Sequence, residues 1–301
     1  MKIAIVGSGA IGLYYGAHLQ RNGHELAFLM RSDLEVAKEN GIKVVKKDDS
    51  FHLESVSAFG DTTEIGICDL VVVSVKATGN GRLAQMLPPL VGPETKLLTL
   101  QNGLGNDRLL DELFPANKVL GGLCFVCLNR ISPAVVENFM AGSISIGPRK
   151  ERDIRAAQEI ADTFNAAGIK TRCEANLREV QWKKLVWNVP FNGLAIAAGG
   201  VTTNVIVKSP HLCEEARALM REIMDAAKHF GFDFGDGFAD YQIKITRPMD
   251  DYRPSSMIDF VEGRPVEVEA IWGEPLRQAK AAGVKMPKLE MLYALLKNIC
   301  K

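Results

Sequence analysis

Hydrophobic residues fall into two patterns along the chain, and the pattern changes near residue 174. Before it, short unbroken apolar runs stand between amphipathic stretches. Lys2 to Val6, too short for a helix, predicts a buried strand, and His24 to Met30 a second one. Asp69 to Lys76 and Lys96 to Asn102 are continuous runs that predict strands buried on both faces, ending in a lysine and in an asparagine before Gly103. Helical patterns cover 10–21, 104–114 and 152–167, the first closed by Asn22-Gly23. Residues 42–57 read as two short strands about Lys47-Asp48-Asp49-Ser50, an antiparallel edge, and 118–128, 134–139, 142–147 and 168–173 as further strands. This alternation predicts an α/β fold, a Rossmann-type doubly wound sheet with helices on both faces, over residues 1–174. After Glu174 the strand patterns stop. Helical periodicity runs over 175–200, 209–230, 236–247, 254–262, 267–282 and 287–300, with Gly231 and Gly283 at helix ends and Pro287 at a start. Residues 175–301 therefore read as an all-α domain, joined to the first by its leading helix, in which Pro190 should introduce a kink.

Charge changes this picture little, and that is itself informative. Thirty-six basic residues balance 36 acidic ones, so there is no electrostatic footprint for nucleic acid or an anionic membrane. No apolar run approaches the roughly 20 residues of a membrane span. Glycines, Ser8, two tyrosines and His18 interrupt Lys2 to Leu19 too often for a signal peptide. Six cysteines are too few for a disulfide scaffold. Cys124 and Cys127, though spaced C-x-x-C, sit in a strand-like run that points them to opposite faces, so thiols in a reducing cytoplasm are expected and no metal is.

The chemistry begins at the first turn. Gly7, Gly9 and Gly12 stand at G-x-G-x-x-G spacing between strand and helix, which makes Gly7, Ser8, Gly9, Ala10, Ile11 and Gly12 a dinucleotide-binding loop at a helix N-terminus. The end of the second strand chooses between cofactors: a carboxylate suits the ribose of NAD, an arginine the 2′-phosphate of NADP. Arg31-Ser32 favours NADPH, with Asp33 close enough to complicate the choice. Ligands of open α/β sheets lie at the carboxyl ends of strands, which puts Lys76 and Asn102 at the cofactor crevice. Taken singly, Lys76 reads as a surface charge and Asn102 as a turn former.

On the joining helix Lys184, Asn188 and Asn192 recur every fourth residue among apolar neighbours. Each buried polar group left without a partner costs about 1–3 kcal/mol. A bound polar ligand, or amides bonded to other helices, would supply the partners. Ser255-Ser256 reads as a helix N-cap, and Glu267 and Glu269 as solvated carboxylates between which the spacing does not choose.

Together, Gly7-Ser-Gly-Ala-Ile-Gly12, Arg31, Val75-Lys76-Ala77, Gln101-Asn102-Gly103-Leu104-Gly105, Trp182-Lys-Lys184-Leu-Val-Trp-Asn188, Asn192, Ser255-Ser256-Met257 and Gly263-Arg-Pro-Val-Glu267 resemble ketopantoate reductase over nearly the whole chain. The resemblance implies a Rossmann domain plus a helical domain like that of 6-phosphogluconate dehydrogenase, with the active site between them. It implies NADPH-dependent reduction of 2-dehydropantoate to (R)-pantoate in cytoplasmic pantothenate and coenzyme A synthesis. Lys184 would be the general acid and Glu267 the carboxylate that organises the substrate site. Asn102, Asn188, Asn192 and Ser256 would hold substrate or nicotinamide, Lys76 would line the cleft, and Arg31 would grip the 2′-phosphate. The partner is then a small 2-oxo acid, with a homodimer left open. Arg253 and Thr202 stand where the family has asparagines, and the Ser256 to Glu267 spacing is one residue short, which keeps Glu269 as the alternative carboxylate. These departures leave open a sister reductase of another branched 2-oxo acid, in which Arg253 clamps the carboxylate. A non-catalytic NADPH-sensing protein is the alternative of a different class.

Overall fold

The computed structural model describes residues 1–300, apart from the side chain of Ala141. Ten strands form one sheet: β1 (Lys2–Val6), β2 (Glu25–Leu29), β3 (Ile42–Lys46), β4 (Phe51–Leu53), β5 (Ser57–Phe59), β6 (Cys68–Val73), β7 (Val91–Thr99), β8 (Lys118–Ser132), β9 (Val135–Pro148) and β10 (Thr171–Cys173). Their order is β4-β3-β9-β8-β7-β6-β1-β2-β5, with β10 on β9. Among the described residues, only β3–β4 and β8–β9 pair antiparallel. The chain leaves β1 towards β2 on one side and returns to β6 on the other. That reversal opens a crevice at the carboxyl ends of β1 and β6, where dinucleotide folds take their ligand.

The helices are α1 (Ala10–Arg21), α2 (Leu34–Asn40), α3 (Leu83–Met86), α4 (Asn106–Leu113), α5 (Ile154–Ala166), α6 (Leu177–Ala197), α7 (Thr203–Lys208), α8 (Pro210–His229), α9 (Phe238–Thr246), α10 (Ser255–Val261), α11 (Glu274–Ala281) and α12 (Pro287–Ile299). Along β1, Ile3 and Ile5 pack on one sheet face with Leu13 and Leu19 of α1 and Ile160 and Phe164 of α5. Ala4 and Val6 pack on the other with Leu83 and Leu110 of α3 and α4. Both faces are covered, which is why the parallel strands read as unbroken apolar runs.

Two compact units result. One is Met1–Gln101 with Asn106–Leu177; the other is Asn102–Gly105 with Arg178–Lys301. The four-residue loop Asn102–Gly105 groups with the helices because the Leu104 N–H donates to the Ala270 carbonyl at 2.9 Å and Leu104 lies in the helical core.

Several details differ from the sequence reading. Residues 134–139 and 142–147 belong to the single strand β9, whose ladder with β8 continues through a bulge between Phe125 and Cys127. Gly142 makes that crossing possible, since a Cβ there would stand 2.1 Å from the Phe125 carbonyl oxygen. The stretch 267–282 is not one regular α-helix: residues Glu269–Gly273 form a π turn ahead of α11. The short helices α2 and α7 carry too few turns to show a period. Helix α6 continues through Pro190. No disulfide joins cysteines among the described residues, and none of their helices is long and apolar enough to cross a membrane.

Candidate active site

The glycine turn leaves β1 with Gly7 at φ +106°, where a Cβ would stand 2.4 Å from the Val75 nitrogen. The N–H groups of Ser74 and Val75 both donate to the Val6 carbonyl, and Ser74 Oγ donates to the Gly7 carbonyl at 2.6 Å. The carboxyl ends of β1 and β6 are thereby locked together. Ser8 Oγ donates to the Leu29 carbonyl at 3.0 Å, tying the turn to the end of β2. Gly9 is the N-cap of α1, no side chain caps that helix, and its first turn holds no acidic residue. A Cβ built on Gly9 would meet nothing within 4 Å. Exposed N–H groups, a positive helix end and open space above Gly9 suit the pyrophosphate of a dinucleotide.

At the end of β2, Arg31 and Ser32 are exposed while Asp33 is buried. At the ends of β6 and β7, half-buried Lys76 precedes a 3-10 stretch, Ala77–Arg82. An amide network missing from the sequence reading braces it. Gln101 Nε2 donates to the Val75 carbonyl at 2.9 Å and to Asn80 Oδ1 at 2.7 Å, and Asn80 Nδ2 donates to Asn106 Oδ1 at 2.9 Å. Gln101, beside Asn102, carried the signal: an amide at a strand's carboxyl end.

In the second unit, Lys184 Nζ donates to Asn102 Oδ1 at 2.9 Å. The loop residue and the helix residue are thus brought together from 82 positions apart. Asn188 is half-buried, one turn along α6. Asn192, a turn further, is 2% exposed and has a structural task. Its Nδ2 donates to the Asn188 carbonyl at 3.1 Å, and its Oδ1 accepts the Ser256 N–H at 2.9 Å. This corrects the expectation of a serine N-cap at Ser255-Ser256. Pro254 occupies the N-cap of α10, no side chain of that segment caps it, and Asn192 supplies the missing acceptor from α6.

The two candidate carboxylates have opposite surroundings. Glu267 is buried, 8% exposed, immediately before the helical turn that becomes the π segment. Glu269 has a half-exposed side chain that accepts from Lys297 and Tyr293 on Oε1 and from Arg277 on Oε2. Burial opposes its charge, but these three donors outweigh it and hold the Glu269 carboxyl down at about 2. Arg253 is exposed, and Thr202 Oγ1 donates to Asp251 Oδ1 at 3.0 Å, two residues before it.

The π turn gives this half its local logic. Pro275 has no N–H, so neither an α nor a π bond can come from that position, and the Glu274 N–H reaches back to the Glu269 carbonyl. The Ala270 carbonyl instead accepts the Leu104 N–H. Gly103, at φ +82°, lies so close that a Cβ would stand 2.2 Å from the Ala270 oxygen. The arrangement therefore holds a lysine ammonium against an amide oxygen on a loop clamped to a helix, a disposition suited to giving a proton to a developing alkoxide.

The model of the ketopantoate reductase PanE/ApbA family matches residues 3–151, and that of its C-terminal domain matches residues 176–299. The chain belongs to the ketopantoate reductase family. It is accordingly an oxidoreductase acting on CH–OH groups. A 2-dehydropantoate 2-reductase of Nostoc is 38% identical over 98% of this chain and 94% of the relative. The crystal structure of 2-dehydropantoate 2-reductase from Geobacter metallireducens has a TM-score of 0.95 at 40% identity, covering 99% of both chains. That of the enzyme from Methylococcus capsulatus has a TM-score of 0.88 at 28% identity, covering 99% of this chain and 96% of the other.

Proposed function

We propose that the protein reduces the keto group of 2-dehydropantoate to the hydroxyl of pantoate, with NADPH as reductant and Lys184 as proton donor. The observation that carries this reading is the Lys184 Nζ to Asn102 Oδ1 bond in a family whose relatives bear that activity as their name. The open Gly9 turn fits the pyrophosphate, and Arg31, Lys76 and Asn102 are the remaining groups that would hold the cofactor. A bound nicotinamide supplies the hydride that the carbonyl carbon receives. The protein's part is to orient the ketone and to meet the charge that grows on its oxygen.

Lys184 gives that oxygen its proton and becomes a neutral amine, to be reprotonated before the next turnover. Asn102, by accepting from Nζ, fixes where the ammonium points. Asn188 and Ser256 contribute polar groups for the substrate, Asn192 acting through Ser256 by holding its backbone N–H. Glu267 is the carboxylate of choice over Glu269, because a buried acid can organise a substrate site while a surface acid bonded to three donors cannot.

The test is NADPH oxidation with 2-dehydropantoate, repeated with NADH and with Lys184→Ala. Turnover with NADPH and a loss of about 10²- to 10⁴-fold in kcat for Lys184→Ala are expected. Full turnover by the variant would remove Lys184 from the chemistry. Arg253 and Thr202, which stand where the family has asparagines, motivate a second reading, in which another branched 2-oxo acid is preferred. A panel of 2-oxo acids at fixed NADPH separates the two.

A further inference from the structure

The hairpin of β8 and β9 brings Arg130 to the end of β2, 97 residues away in sequence. Arg130 Nη1 donates to Asp33 Oδ1 at 2.7 Å and lies 3.4 Å from Ser32 Oγ. Ser32 Oγ donates to the same Asp33 oxygen at 2.7 Å, and Asp33 Oδ2 accepts the Ala134 N–H at 3.0 Å. Asp33 is 3% exposed, whereas the Arg130 side chain is 42% exposed. Although Asp33 is the N-cap residue of α2, its carboxylate makes no cap bond and turns to the hairpin instead.

In a dinucleotide fold, a carboxylate at the end of the second strand accepts the ribose hydroxyls of NAD and repels a 2′-phosphate. Asp33 stands in that neighbourhood but can do neither. Both its oxygens are engaged by protein donors, and Arg130 matches its charge. Arg31, two residues before it, is exposed and has no hydrogen-bond or ion-pair partner among the described residues. Of the Arg130 guanidinium, only Nη1 is engaged by protein among those residues, which leaves N–H groups able to bond an anion.

The geometry points to Arg130 as a second cationic arm of the 2′-phosphate subsite, a specificity-determining residue held beside Ser32 and Arg31 by buried Asp33. The inference rests on NADPH being the reductant. It assigns to Asp33 a positioning role: a carboxylate that would otherwise favour NADH is used to aim a guanidinium at the group that distinguishes NADPH.

Calorimetric titration of the whole protein with adenosine 2′,5′-bisphosphate and with 5′-AMP tests the subsite without turnover. The wild type should bind the bisphosphate more tightly than 5′-AMP. Arg130→Gln should weaken the bisphosphate about 10- to 100-fold more than it weakens 5′-AMP, the range for one charge-assisted contact. The NADPH over NADH preference in kcat/KM should fall by a similar factor. The double variant Arg130→Gln with Asp33→Asn removes the buried charge left unmatched in the single variant, and it should remain as weak for the bisphosphate. Recovery of wild-type affinity in the double variant would make Arg130 a mere counter-ion and overturn the proposal, as would equal losses for both nucleotides. A wild type that prefers the bisphosphate while Arg130→Gln does too, undiminished, overturns the arm and leaves the NADPH reading intact. A wild type indifferent to the 2′-phosphate overturns both.

Discussion

Single residues in this chain are assigned by what touches them rather than by their type. Asn192 looks like a ligand residue in a stripe with Lys184 and Asn188, yet its carboxamide bridges α6 to the first turn of α10. Asn192→Ala leaves the buried Ser256 N–H without its acceptor, so urea unfolding should show a loss of about 1–3 kcal/mol. Glu269 offers the opposite lesson, a carboxylate in the expected motif that proves to be a surface hub. Its folded-state value is depressed to about 2, so the stability it contributes is present above the ordinary carboxylate range and is lost as pH falls towards 2. Melting temperatures of the wild type and Glu269→Gln should therefore differ near pH 6 and converge on acidification, with turnover at pH 7 unaffected by the substitution.

At the scale of elements, the clamp between the π turn and the Asn102–Gly105 loop links folding to chemistry. Pro275 prevents regular helical bonding, the Ala270 carbonyl turns to Leu104, and Asn102 is thereby carried to Lys184. Gly103→Ala would force a Cβ against the Ala270 oxygen at a positive φ. Strain at such a position costs about 1–3 kcal/mol. If the loop yields, kcat should fall while the affinity for adenosine 2′,5′-bisphosphate stays, a split that simple unfolding would not produce. The β8–β9 hairpin is the other element whose form matters, because its length and bulge bring Arg130 and the Ala134 N–H to Asp33. A run broken by Met140, Ala141 and Gly142 reads as two strands in sequence. It is one strand in the fold because the partner strand, not local propensity, decides where the ladder continues.

At the scale of the whole molecule, acid sensitivity has a definite source in the sheet-bearing unit. His18 of α1 is 5% exposed, packed against Tyr14 and Phe51, and its Nε2 has no hydrogen-bond partner among the described residues. Burial, with Lys46 nearby, pushes its imidazole down to about 4, the Ala167 backbone pulling the other way. The unfolded chain therefore takes up a proton near pH 6.5 that the folded chain refuses until about pH 4, and stability falls between those values. Chemical unfolding of the wild type should lose roughly 2–3 kcal/mol between pH 7 and pH 4.5 from this group. His18→Phe, which keeps the ring packing, should flatten that slope.

The sequence by itself determined the buried strands of the central sheet, the glycine turn, the change from α/β to all-α and the long helices. Each depends on periodicity or on a residue's own backbone preferences, and both are local. It also showed the polar stripe of Lys184, Asn188 and Asn192, since fourfold spacing on a helix is local too. Only the tertiary structure decided that Asn102 meets Lys184, that Glu267 is buried while Glu269 is not, and that Asp33 is matched by Arg130. Those outcomes join residues tens of positions apart. Their energies come from desolvation and pairing, which no stretch of chain possesses until another is packed against it.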